Sequence, residues 1–198
     1  MTEHILSIIL FAPFVGVAVL FFIPNEKLLL VRTTAAIAGL IPTLASFYLL
    51  YAYDSAAGGY QFTEQYVWST DLGISFFLGV DGISIPLVLA SSILLFTGVF
   101  ISWHIVDRPK EFYIFLLILA AATIGVYVSL DLFFLYFFYE MSVLPMYVLL
   151  GVWGSHTQGY LEMADKQKRD SVGFIFNFTS NSKEYAAMKL TLFLSAGA

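Results

Sequence analysis

The chain has 198 residues, 60% of them hydrophobic and 12% charged, with 9 basic and 14 acidic side chains and a net charge of −5. An ordinary soluble domain carries roughly 25% charged residues, so the composition excludes a water-soluble globule, and no basic patch of the kind a nucleic acid requires is present. Zero cysteines remove disulfides, thiolate metal sites, Cys-ligated iron–sulfur clusters and Cys nucleophiles together, so any redox chemistry is expected in other chains.

Twenty Phe, twelve Tyr and three Trp suit a lipid boundary and its headgroup level. A hydrocarbon core of about 30 Å takes about 20 apolar residues at 1.5 Å each, and five windows of that length are complete. The first runs from Ile5 to Ile23 and contains Pro13. Glu3 and His4 precede it where a signal peptide would be basic, and no clear small-residue cleavage site follows, so it reads as a retained helix. The second runs from about Thr33 to Tyr53 with Pro42 inside, and Arg32 at its edge reaches headgroups. The third covers about Ile83 to Ser102, followed by Trp103 at an interface; the fourth covers Phe112 to about Leu130; the fifth covers Leu132 to Trp153. A last apolar stretch, Tyr185 to Ala198, has fourteen residues, or about 21 Å of helix, too short to cross. The expected fold is an all-α integral membrane protein, a single membrane domain over 1–198 with five complete transmembrane helices and the start of a sixth, inside which the chain is expected to stop.

Lysine and arginine collect in cytoplasmic loops and so test this count. Lys27 and Arg32 follow the first span, Arg108 and Lys110 the third, and Lys166, Lys168, Arg169 and Lys183 the fifth. The connection from Asp54 to Asp81 has no Lys or Arg and carries Asp54, Glu64, Asp71 and Asp81. Every basic loop therefore falls on one side, which places the N-terminus and loop 54–82 outside and loop 154–184 inside. Within the outer connection, Gly58-Gly59 and the β-prone stretch Tyr60 to Trp68 fit either a hairpin against the membrane surface or a plain polar loop.

Two carboxyl groups sit where lipid penalises them. Glu140 lies nine residues after Asp131 in LFFLYFFYEMSVLPMYVLLGVWG, about 12 Å into the fifth helix and near mid-membrane. An acid there is expected to face protein or water and to have a partner, and desolvation raises its pKa toward the range a proton relay uses. The alternative is a structural carboxyl hydrogen-bonded to a neighbouring helix. Pro145 lacks an N–H, so it frees the Met141 carbonyl and is expected to kink the helix. Asp131 opens the span as a helix cap or as part of a proton pathway, and nine residues of helix place it and Glu140 on opposite faces. Asp81, before the third span, reads as a helix cap. Lys189, one turn into the last stretch, either snorkels to the surface or acts inside the membrane. His4, His104 and His156 fall in tails or loops without an inward-facing pair, so no metal or haem is assigned to them.

The run from Asp131 to Gly154, with Glu140, Pro145 and Trp153, resembles the fifth-helix signature of the antiporter-like subunits of respiratory complex I. Gly79-Val80-Asp81-Gly82-Ile83-Ser84 resembles that family's third-helix start, and Tyr185-Ala-Ala-Met-Lys189 its sixth. The resemblance covers nearly the whole chain and implies a proton-translocating membrane-arm subunit of a NADH:quinone oxidoreductase. It makes Glu140 part of a proton channel coupled to a lysine on a seventh helix, beyond this sequence, and places Lys189 near the channel's input. It also implies no cofactor in this chain, with NADH, FMN, iron–sulfur clusters and quinone in the parent complex. The implied partners are other membrane-arm subunits, neighbouring antiporter-like ones included, within a bacterial cytoplasmic or other energy-transducing membrane. Two features depart from the family: the stretch Ser155–Lys183 is longer than the usual loop, and the family's chains are more than twice as long. A subunit of a multi-subunit cation/proton antiporter, a ferredoxin-fed photosynthetic relative of the complex and a purely structural membrane anchor are the alternative readings.

Overall fold

A computed structural model describes residues 4–154 and 183–197, with side chains in the last helix described from Ala186 onward. The expected basic loop with Lys166, Lys168 and Arg169, the remainder of the long connection and His156 lie outside the described residues. The elements run α1 (Ile5–Phe22), α2 (Leu28–Ala52), β1 (Gln61–Ser69), β2 (Ile74–Val80), α3 (Ser84–Ile101), a short 3₁₀ turn (Ser102–His104), α4 (Pro109–Val128), α5 (Leu132–Trp153) and α6 (Lys183–Gly197). Among the described residues five helices are long and apolar enough to cross a membrane, so the protein is an all-α membrane protein with one small hairpin.

One compact unit reaches Ser142 and a second begins at Val143. In the first, α1 packs against α2 and α4, and α3 against α2 and α4. Two apolar layers fill it. One, around Leu6, Leu10, Leu49, Leu78, Ile124 and Phe138, sits against the hairpin. The other, around Leu20, Val31, Leu95, Tyr113 and Leu117, lies toward the opposite end. Between α2 and α3 the glue is polar: Thr43 Oγ1 donates to the Ser92 carbonyl at 2.9 Å, and the Ser46 and Ser92 hydroxyls lie 3.0 Å apart. Small polar residues allow such close approach where lipid offers no hydrophobic gain for association. Gly125 of α4 plays the same part against α5, since a Cβ there would run into the ring of Phe138.

Two helices begin earlier than hydropathy predicts. Helix α2 starts at Leu28, not Thr33, so Arg32 is already helical; its guanidinium lies 5.7 Å from the Trp103 ring centroid and donates to the Ile105 carbonyl at 3.2 Å. Helix α4 starts at Pro109, not Phe112, because proline's fixed φ and missing N–H suit the first helical position. The Lys110 ammonium donates to the carbonyls of Phe21 and Ile23, which closes the C-terminus of α1 with a cation. Lys27, Arg32 and Lys110 thus gather at the end of this unit away from the hairpin.

The stretch 54–82 forms the hairpin. Strands β1 and β2 pair antiparallel, with irregularities between Gln61 and Glu64 and between Val67 and Ser69. The reversal falls at Thr70–Gly73, where Gly73 has a positive φ of 65°, whereas Gly58-Gly59 precede β1. The second unit holds the later half of α5 and α6. Val143 and Pro145 are buried on the first of these and Ala187 on the second, and the Thr191 hydroxyl donates back to the Ala187 carbonyl at 2.9 Å.

Candidate functional site

Helix α5 carries a dense aromatic stretch, and this determines how its first half sits. The ring of Phe134 meets Phe76 of β2 edge-on at 5.1 Å and Trp68 of β1 at 5.4 Å. Phe138 packs over Gly125. Phe133, Phe134, Phe137 and Phe138 wall an apolar pocket of about 740 Å³ with Phe11 and Trp68. Three residues beyond Phe137 the same helix places Glu140. Its Oε1 is buried and has no hydrogen-bond partner among the described residues. A carboxyl oxygen denied both water and a donor costs free energy, and taking up a proton, a water or a cation relieves that cost.

Asp131 stands at the start of this helix. Its Oδ1 accepts from the amides of Phe133 at 2.9 Å and, more weakly, Phe134 at 3.4 Å, and Oδ2 accepts from the amide of Ser75 on β2 at 3.0 Å. These bonds favour the charged form, that from Ser75 most, and hold the carboxyl below the usual aspartate pKa. Asp131 therefore caps α5 and ties it to the hairpin, and both of its oxygens are taken up by backbone amides. Asp81 does the like for α3. Its Oδ1 accepts from Ser84 N at 2.7 Å and Ile83 N at 3.1 Å, and the Ser84 bond leads in lowering its pKa. Lys189 lies on α6 with an exposed side chain and belongs to the second unit, whereas Glu140 belongs to the first. Among the described residues no group of three or more His, Asp or Glu side chains could hold a metal ion.

Sequence reasoning passed over Glu64, which it had counted only as an outer acidic residue. It is 4% exposed. Oε1 accepts from the amides of Leu6 at 2.9 Å and Ser7 at 3.1 Å, and the Ser7 hydroxyl donates to Oε2. His4 Nδ1 lies 3.7 Å from that oxygen and 3.2 Å from the Tyr66 hydroxyl. Glu64 thus serves the unpaired amides at the start of α1, where no side chain of α1 itself supplies a cap. One signal was in the sequence: Glu64 shares its strand parity with Tyr66 and Trp68, so it is a carboxylate on the aromatic side of a strand.

The fold is shared with a solved respiratory membrane complex, the membrane-bound sulfane sulfur reductase of an archaeon. The match has a TM-score of 0.59 at 17% identity and covers 97% of this chain and 32% of that one. The likeness defines the class by fold alone, as a multi-helix membrane protein with an architecture also present in that complex. No protein-family model matches the chain. The sequence is 36% identical over 167 residues to NADH-quinone oxidoreductase subunit M of Rhodobacter capsulatus, covering 80% of this chain and 31% of the relative. It is also 36% identical over 151 residues to NADH-ubiquinone oxidoreductase chain 4 of Arabidopsis thaliana, 76% of this chain and 30% of the relative. Against NAD(P)H-quinone oxidoreductase chain 4 2 of Trichodesmium erythraeum it is 31% identical, over 78% of this chain and 28% of the relative. The chain is thus similar to subunit M and chain 4 proteins over about four-fifths of its own length, and it spans about three-tenths of the length of the relatives it matches.

Proposed function

We propose that the protein acts in the membrane arm of a NADH:quinone oxidoreductase, moving protons while electrons pass from NADH to quinone in other subunits, and that Glu140 is the group that carries the proton in this chain. The observation that supports this reading most is the buried, unpartnered Oε1 of Glu140 on a helix long enough to span the bilayer. Such a carboxyl oxygen lacks a partner among the described residues, and a donor, a water or a cation brought beside it would satisfy it. Electron transfer elsewhere would move protons here by changing which partner it meets. The redox groups implied by the relatives' names belong to other subunits, and the role of this chain is limited to holding and releasing a proton. Lys189 is the second candidate for proton translocation in this chain, near the input of the pathway. Neighbouring membrane-arm subunits are the expected partners, with the N-terminus and hairpin on the outer face and the basic ends inside.

The test is Glu140→Gln in the assembled complex, which keeps the side chain's shape and removes its titration. NADH-driven proton translocation per electron should fall to a small fraction of normal while the complex still assembles. Normal translocation in an assembled variant overturns the assignment. Sodium-dependent proton exchange without NADH would instead favour a cation/proton antiporter.

A further inference from the structure

We propose that the hairpin is a strap that positions the Glu140 helix from outside the membrane, and that Glu64 is its anchor; the proposal rests on the role of Glu140 given above. Strand β1 is held at α1 and strand β2 at α5. On the α1 side, Glu64 takes two amides and a hydroxyl of Leu6 and Ser7. On the α5 side, Ser75 N donates to Asp131, Leu130 N donates to the Phe77 carbonyl at 2.8 Å, and Leu78 bridges to Ser129. A Cβ on Gly79 would meet Leu130 Cδ1 at 2.6 Å, so the strand lies directly on the turn between α4 and α5.

The anchor is built at a local cost. Phe62 has φ 54°, a left-handed conformation rare for a bulky residue, and it falls within the irregularity between Gln61 and Glu64. Bulges re-aim a side chain. The result is that Glu64 is the buried position of its strand, whose other side chains are half-buried or exposed. The strap runs from Glu64 through the paired strands to Asp131, and Glu140 follows nine residues down a continuous helix. Releasing Glu64 frees the strap from α1, so the outer end of α5 loses its reference to the bundle, and the depth and rotation of Glu140 change with it. Glu64 is a positioning residue; it never touches the proton.

The experiment uses membranes holding the assembled complex with Glu64→Ala, Glu64→Gln and Ser7→Ala, and reads two quantities. Protons translocated per electron should fall on the order of tenfold in Glu64→Ala, since displacement of about 1 Å at a reacting group is enough to cost that or more. Glu64→Gln, which keeps an acceptor for the two amides, should recover most of the loss. Second, the carboxyl band of Glu140, identified in redox-induced infrared difference spectra by its absence in Glu140→Gln, should shift in Glu64→Ala and in Ser7→Ala. An unshifted band with unchanged translocation in assembled Glu64→Ala or Ser7→Ala overturns the strap, and failure of both variants to assemble does so too, since it makes Glu64 an insertion determinant. Absence of any Glu140 band in the parent protein overturns the proposed function instead.

Discussion

A carboxylate bonded to amides and a buried carboxyl oxygen with no partner among the described residues are in opposite situations, and this chain has the two nine residues apart. Asp131 and Asp81 lie outside the spans and accept backbone amides in the folded protein. Their folded pKa values lie below their unfolded values, so their contribution to stability is fully present above the unfolded pKa of about 3.9 and is lost as pH falls through the lower folded value. Thermal stability in detergent is thus expected to be independent of pH from these groups above about pH 5 and to drop below about pH 4; Asp81→Asn should flatten part of that drop. Asp131→Ala should cost about 1 kcal/mol through the lost cap, read as a lower unfolding midpoint, with Asp131→Asn milder. Glu140 was visible in the sequence because a carboxyl within a 22-residue apolar span stands out without any knowledge of tertiary structure. Glu64 was not, because its burial depends on a bulge at Phe62 and on amides 57 and 58 positions away in sequence.

Helices were legible as elements because hydropathy sums over a whole span and tolerates errors at its ends. The ends themselves followed other physics: Arg32 lies inside α2 because its charge reaches out over Trp103, and α4 gains a turn because Pro109 starts a helix well. The hairpin was half legible. Its β-prone first strand was seen, but its second strand, ISFFLGV, is apolar without alternation and reads equally as the lead-in to a helix. Contact between α4 and α5 depends on the missing side chain of Gly125. Gly125→Val should overpack against Phe138 and destabilise by about 1–3 kcal/mol, measured as a reduced unfolding midpoint, and Phe138→Ala in the same chain should recover part of the loss.

Over the whole molecule, the basic ends and the hairpin lie at opposite ends of the first unit, as the charge pattern requires of alternating spans. The absence of cysteine makes the orientation directly testable. A cysteine at Asp71, at the hairpin tip, should react with a membrane-impermeant maleimide added outside intact cells, and one at Lys27 only after permeabilisation; the reverse pattern would invert the topology. Orientation decides which compartment the proposed strap faces, and in the function proposed above Glu140 is the group through which the proton passes. The most direct test of that central role is the infrared difference spectrum of the turning-over complex. A carboxyl C=O band that appears and disappears with the redox cycle, and is lost in Glu140→Gln, is the predicted result; an identical spectrum in the parent protein and in Glu140→Gln would contradict it.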